Sequence, residues 1–218
     1  MSRQPEAVFF DLDGTLADTA PDFVRCLNLQ RQLHDLPPLP AEQIRAVVSN
    51  GARALVQLGF DLAPEAPDFQ ERHSELLDLY RDNLAVETRL FPGMVDVLAW
   101  LEARTIPWGV VTNKPRSFTL PLMEGLGLLE RCGSVVCPDD VSQRKPHPES
   151  LFMACKEVGA PAAGSVYVGD HLRDIEAGRA AGMRTVAARY GYIADPEEIP
   201  SWQADHIIDH AGELIRWL

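Results

Sequence analysis

The chain has 218 residues, 46% of them hydrophobic, and a formal net charge of −12; this is enough for one large domain plus an insertion with ample surface to bury. The acidic balance argues against general nucleic-acid binding, which needs a positive field along the phosphate backbone, and no run of about 18 apolar residues is present to span a membrane. The polar segment Met1 to Glu6 leads straight into an apolar run, which argues against a signal peptide, and Cys26, Cys132, Cys137 and Cys155 lack metal-type spacing, so free thiols in a cytoplasmic protein are expected.

Ala7-Val8-Phe9-Phe10 is wholly apolar and reads as a strand buried on both faces, as in a parallel sheet. From Asp18 to about Thr88 the texture is helical: Asp22 to Leu33, Ala41 to Val48, Ala52 to Leu58 and Asp68 to Val86, separated by Pro37-Pro38-Leu39-Pro40 and Ala63-Pro64-Glu65-Ala66-Pro67. After Pro92-Gly93, the spacing of Met94, Val97, Leu98 and Leu101 predicts an amphipathic helix. Apolar runs then recur at Trp108 to Thr112, Ser134 to Cys137, Ser165 to Gly169, Thr185 to Ala188 and His206 to Ile208. Helical stretches lie between them at Ser117 to Leu129, Pro148 to Val158 and Asp174 to Ala181. This alternation predicts an α/β fold with a Rossmann-like parallel sheet flanked by helices, interrupted by an α-helical insert. The expected boundaries are 1–17 and 89–218 for the α/β core and 18–88 for the insert.

Two of the strands end in pairs of acids: Asp11 and Asp13 after the first, Asp170 and Asp174 after Ser165 to Gly169. Open α/β sheets bind ligands at these carboxyl ends. Crowded carboxylates resist ionising together unless a cation neutralises them, and Mg²⁺ typically uses one or two carboxylates with waters and phosphate oxygens. The pattern points to a Mg²⁺ site built for phosphate chemistry. An anionic substrate must then meet a local positive charge, and the only lysines are Lys114, Lys145 and Lys156.

The order Asp11-Leu12-Asp13-Gly14-Thr15, then Val111-Thr112-Asn113, then Lys145-Pro146, then Gly169-Asp170 with Asp174 resembles the haloacid dehalogenase-like (HAD) hydrolases over the whole chain, and the helical insert resembles their small cap domain. The resemblance implies Asp11 as nucleophile, Asp13 as acid and base, Thr112 with the Asn113 region as donors to the phosphoryl group, and Lys145 as its point cation. It further implies Mg²⁺ held by Asp11, Asp170 and the backbone carbonyl of Asp13, with Asp174 orienting metal-bound water or Lys145. Asp18 is expected at a helix N-terminus, Lys114 and Lys156 on the surface, and His171 as a polar loop residue. Arg189-Tyr190-Gly191-Tyr192 reads equally as an edge of the site or as loop packing.

Specificity is expected from the cap, where Ser49-Asn50-Gly51-Ala52-Arg53 opens a helix and presents a cation; backbone N–H groups at a helix N-terminus plus Arg53 make an anion receptor. Family members that release halide lack the second acid, and those that cleave phosphonates use a cap lysine, absent from 18–88. The implied activity is hydrolysis of a small phosphate monoester, with a phosphomutase or a silent ligand-binding module as rivals. Segments such as Cys137-Pro138-Asp139-Asp140 and Arg189-Tyr190-Gly191-Tyr192-Ile193 resemble phosphoglycolate phosphatases, and more closely a subgroup acting on N-acetylmuramic acid 6-phosphate in cell-wall sugar recycling. A monomer and a homodimer are both open.

Overall fold

The computed structural model describes residues 4–218, which form two compact units. One comprises the described residues up to Asp18 together with Leu90–Leu218, the other Thr19–Arg89.

In chain order the strands are β1 (Val8–Phe10), β2 (Ala17–Asp18), β3 (Arg89–Leu90), β4 (Trp108–Val111), β5 (Ser134–Val136), β6 (Val166–Gly169), β7 (Arg184–Ala188) and β8 (His206–Ile208). The two-residue β2 and β3 lie where the chain leaves and re-enters the first unit. The other six form one parallel sheet in the order β5-β4-β1-β6-β7-β8, with Phe10 in register with Val110 on one side and Val168 on the other. As their unbroken apolar runs predict, β1, β4 and β6 are buried along their whole length.

The first unit carries α5 to α9: Met94–Ala103, Arg116–Gly125, Glu149–Val158, Leu172–Ala180 and Leu214–Trp217. Phe9, Val111, Val136, Leu151, Ala154, Tyr167 and Ala177 form a core between the sheet and the helices α7 and α8. Each large apolar side chain so buried contributes about 1.5–3 kcal/mol. From β1 the chain runs outward to β4 and β5, then crosses back to β6 and proceeds the other way. The crevice beside the carboxyl ends of β1 and β6 is therefore a topological switch point.

Boundaries differ from expectation at several helices, and the one that begins at Ala41 stops at Arg45 rather than Val48. The helix α6 stops at Gly125 rather than Leu129, because Gly127 takes φ +67° and the N–H groups of Gly127 and Leu128 turn back to Glu124 and Met123 carbonyls. The last helix of the insert stops at Asp82 rather than Val86, where the Asn83 amide donates back to the Leu79 carbonyl at 2.8 Å and Ala85 takes φ +59°. The helix α8 starts at Leu172, earlier than expected, because His171 caps it. A 3-10 helix over Pro196–Trp202 has no counterpart in the periodicity.

The second unit carries the helices α1 (Ala20–Leu33), α2 (Ala41–Arg45), α3 (Gly51–Phe60) and α4 (Phe69–Asp82). Phe23 of α1 stacks on Tyr80 of α4 with centroids 3.9 Å apart, and the Gln30 amide donates to the Arg72 carbonyl and the Glu75 carboxylate. Asp22 is fully buried; its carboxylate accepts from the Thr88 hydroxyl at 2.6 Å and from the N–H groups of Glu87 and Thr88 at 2.7 and 3.3 Å. One side chain thereby ties the first helix of the insert to its last residues. Asp22→Ala leaves these donors without acceptors, at a cost of about 1–3 kcal/mol each where burial persists. Urea denaturation should register a loss of at least about that size for the insert, and an unchanged midpoint would contradict the role.

Candidate active site

Strand β1 delivers Asp11, whose N–H donates to the Val168 carbonyl of β6 at 2.9 Å and whose Oδ1 accepts from the Leu12 N–H at 2.8 Å. The chain then turns tightly, with Gly14 at φ +82°. A methyl group at Gly14 would overlap the Asp170 carboxylate, so glycine is required both by the turn and by this close approach. Strand β6 delivers Asp170, 2% exposed, whose Oδ1 accepts from the Thr15 hydroxyl at 3.2 Å and whose Oδ2 accepts from the Tyr192 N–H at 2.8 Å. Asp174 lies in the first turn of α8. Its Oδ2 accepts from the His171 N–H at 3.1 Å while His171 Nδ1 accepts from the Arg173 N–H, a reciprocal cap.

Lys145 arrives on the loop after β5 and is buried among these acids. Its Nζ lies 2.9 Å from Asp11 Oδ1 and 2.7 Å from Asp174 Oδ1, and it donates to the Val111 carbonyl at 2.9 Å and the Tyr167 hydroxyl at 2.7 Å. Of the two partners expected for Asp174, metal-bound water or Lys145, the lysine is in contact with it. The loop itself is clasped by Asn113, whose amide donates to the Lys145 carbonyl at 3.0 Å and accepts from its N–H at 3.2 Å. The Asn113 region is expected, with Thr112, to donate to the phosphoryl group; the Asn113 side chain itself is committed to the Lys145 backbone. Thr112, at the end of β4, is 3% exposed; its N–H reaches the Val136 carbonyl and its Oγ1 accepts from the Lys114 N–H at 3.1 Å.

Two expectations are corrected. Lys114 is not on the surface: its side chain is 6% exposed and its Nζ pairs with Asp13 Oδ1 at 3.0 Å. The turn after β4 folds it inward, because the Lys114 N–H is held by Thr112 and its carbonyl by the Thr119 hydroxyl. Its position two residues after Thr112 was the available signal. Asp18 does not cap α1, whose cap residue is Thr19; instead it accepts from the Tyr192 hydroxyl at 2.7 Å. Tyr167 was missed as well, although a tyrosine in an aliphatic buried strand demands a partner for its hydroxyl.

Oxygen atoms of Asp11, Asp170 and Asp174 come within 4.8 Å of one another. Burial pushes the Asp11 carboxyl up to about 6, against the pull of Lys145 and with the repulsion of Asp174. Burial, then the charges of Asp11 and Asp174, lifts Asp170 well above the usual carboxylate range. Burial works against the charge on Lys145, but Asp11 and Asp174 overcome it and hold the ammonium above its ordinary value. One ammonium cannot balance three buried carboxylates. The donor set is all hard oxygen; Asp174 gives one oxygen to Lys145 and the other to the His171 N–H, so Asp11 and Asp170 are the carboxylates that fit a divalent cation of the Mg²⁺ type.

Arg53 belongs to the helical unit, in the first turn of α3. It is exposed, with its guanidinium 4.9 Å from the centroid of the Phe69 ring. The same unit holds a cavity of about 460 Å³ lined by residues that include Val24, Arg25, Asn28 and Arg45; neither Arg53 nor any of the four acids lines it. Among the described residues, no helix is long and apolar enough to cross a membrane.

Residues 8–188 match the family model described as haloacid dehalogenase-like hydrolase. The N-acetylmuramic acid 6-phosphate phosphatase of Pseudomonas aeruginosa is 47% identical over 211 residues, covering 96% of this chain and 93% of its own. A phosphoglycolate phosphatase of Xanthomonas campestris pv. campestris is 40% identical, with coverage of 97% and 96%. Among solved structures, a predicted phosphoglycolate phosphatase from Haemophilus somnus 129PT superposes with a TM-score of 0.86 at 28% identity, covering 100% of this chain and 99% of that one. With the acids, the threonine and the lysine on successive strand ends and the family model spanning most of the sequence, the chain belongs to the haloacid dehalogenase-like hydrolases.

Proposed function

We propose that this protein is a Mg²⁺-dependent phosphatase that hydrolyses N-acetylmuramic acid 6-phosphate through a phosphoenzyme on Asp11. The observation that carries the reading is the Asp11 carboxylate paired with Lys145 at 2.9 Å and within 4.8 Å of an Asp170 oxygen at the switch point, in a chain whose relatives at 47% and 48% identity bear that name.

In this reading an Asp11 oxygen attacks phosphorus, the ester P–O bond breaks, and Asp13 gives its proton to the departing sugar oxygen. Asp13, now a carboxylate, takes a proton from water, which attacks the aspartyl-phosphate and frees Asp11 and inorganic phosphate. Thr112 Oγ1 already accepts from the Lys114 N–H, so its own proton can serve a phosphoryl oxygen. Lys145 holds charge at the nucleophile, with Asn113 fixing its loop and Asp174 its ammonium. Lys114 orients the Asp13 carboxylate. Asp11, Asp170 and the Asp13 carbonyl would hold Mg²⁺, which when bound supplies positive charge that neutralises the acids and the phosphate. Arg53, stacked on Phe69 and exposed, receives the lactyl carboxylate of the sugar.

Asp11→Asn should retain the fold and lose turnover by several orders of magnitude, and excess chelator should silence the wild type; steady-state assays check both, and activity surviving either treatment contradicts the mechanism. Asp13→Asn should lose far more on a sugar phosphate than on an activated aryl phosphate, whose leaving group needs little protonation. Parallel losses on the two substrates would remove Asp13 from the acid role.

Arg53→Ala should lower kcat/KM for N-acetylmuramic acid 6-phosphate about ten- to a hundredfold, the size of a charge-assisted bond. It should barely alter turnover of N-acetylglucosamine 6-phosphate, which lacks the carboxylate. Equal losses on both sugars count against Arg53 as the receptor, and a wide wild-type preference for phosphoglycolate overturns the sugar assignment.

A further inference from the structure

We propose that the turn Tyr190-Gly191-Tyr192, which follows β7, is the positioning element for Asp170, so that these residues set the affinity for Mg²⁺ without touching the ion. The inference rests on the reading of Asp170 as a metal ligand.

The Tyr192 N–H supplies the 2.8 Å bond to Asp170 Oδ2. That backbone reaches the carboxylate only because Gly191 has no side chain: a Cβ there would stand 2.3 Å from Asp170 Cβ and 2.4 Å from the Gly14 carbonyl oxygen. The turn closes on itself through the Gly191 N–H, which donates to the Ala188 carbonyl at 3.1 Å. Both flanking tyrosines then anchor it by their hydroxyls. Tyr190 donates to the Thr15 carbonyl at 3.0 Å, and Tyr192 to Asp18 Oδ1 at 2.7 Å. Their rings pack on Phe91, with centroids 4.9 and 6.3 Å away, and the Phe91 N–H is itself bonded to the Leu16 carbonyl.

The anchors are not independent of the ligand. Thr15, whose carbonyl receives Tyr190, also donates its hydroxyl to the other Asp170 oxygen at 3.2 Å. Asp170, the Tyr192 amide, the turn, the Tyr190 hydroxyl and Thr15 therefore form a closed ring of bonds, and both carboxylate oxygens are aimed by members of that ring. A carboxylate held in this way loses little orientational freedom when it binds a cation.

The experiment measures Mg²⁺ binding to the purified full chain by titration calorimetry, with kcat at saturating Mg²⁺ and the melting temperature without Mg²⁺ recorded alongside. Gly191→Ala should weaken Mg²⁺ binding about ten- to a hundredfold. The double variant Tyr190→Phe/Tyr192→Phe removes two hydroxyls and no backbone atom, and should weaken it about two- to tenfold while kcat at saturation changes less than the binding constant. If Gly191→Ala does not fold, the double variant decides alone. Wild-type Mg²⁺ affinity in the folded variants, with only a lowered melting temperature, overturns the proposal and leaves the turn as packing. Asp170→Asn serves as the control. If it binds Mg²⁺ as tightly as wild type, the ligand reading itself fails; if it loses binding while the turn variants keep theirs, only the present inference falls.

Discussion

Three carboxylates and one ammonium, all nearly out of reach of water, set the terms for the rest of this fold. Lys145 is surrounded by Asp11, Asp174, the Val111 carbonyl and the Tyr167 hydroxyl, more acceptors than it has N–H bonds. Such a cluster is costly to bury and tolerable only when every member has partners of good geometry. The surrounding architecture supplies them. β1 and β6 bring the acids side by side, α8 places Asp174 in its own cap, and Asn113 clamps the loop that carries the lysine. Parallel strands are suited to this task, because their carboxyl ends all face one edge and each can deliver one group.

The same constraint explains what could be read from the sequence. Asp11, Asp170, Thr112 and Lys145 each sit directly after an unbroken apolar run or in the following loop, so strand ends and site residues were legible together. The helical insert was legible too, since proline clusters divide it and period-2 patterns are missing. Lys114, Tyr167 and Thr15 are not placed in the site by the sequence, and the Tyr190–Tyr192 turn is left open between site edge and loop packing, because their importance depends on partners such as Asp13, Lys145 and Asp170 that are remote in sequence. Helix ends slipped for a local reason. Gly127 and Ala85 adopt positive φ, and an alanine in that conformation announces itself by no composition rule.

The insert follows a different logic from the sheet. Its helices hold together through a stacked Phe23–Tyr80 pair and through buried polar groups that answer backbone donors and acceptors, Asp22 and Gln30 foremost. Arg53 sits on the ring of Phe69, which limits its rotamers while leaving it exposed. A cation already ordered before a ligand arrives gives up less freedom on binding than a free side chain does.

The burial of Lys114 and Lys145 also governs how this protein meets amine-directed reagents. Acylating and cross-linking agents need an accessible, unpaired side-chain amine, and both of these are shielded and ion-paired. The third lysine, Lys156, is exposed on α7. Side-chain amine coupling is therefore directed to one helix face, so that a surface or a fluorophore attached there gives a single defined orientation and leaves the carboxylate cluster chemically intact.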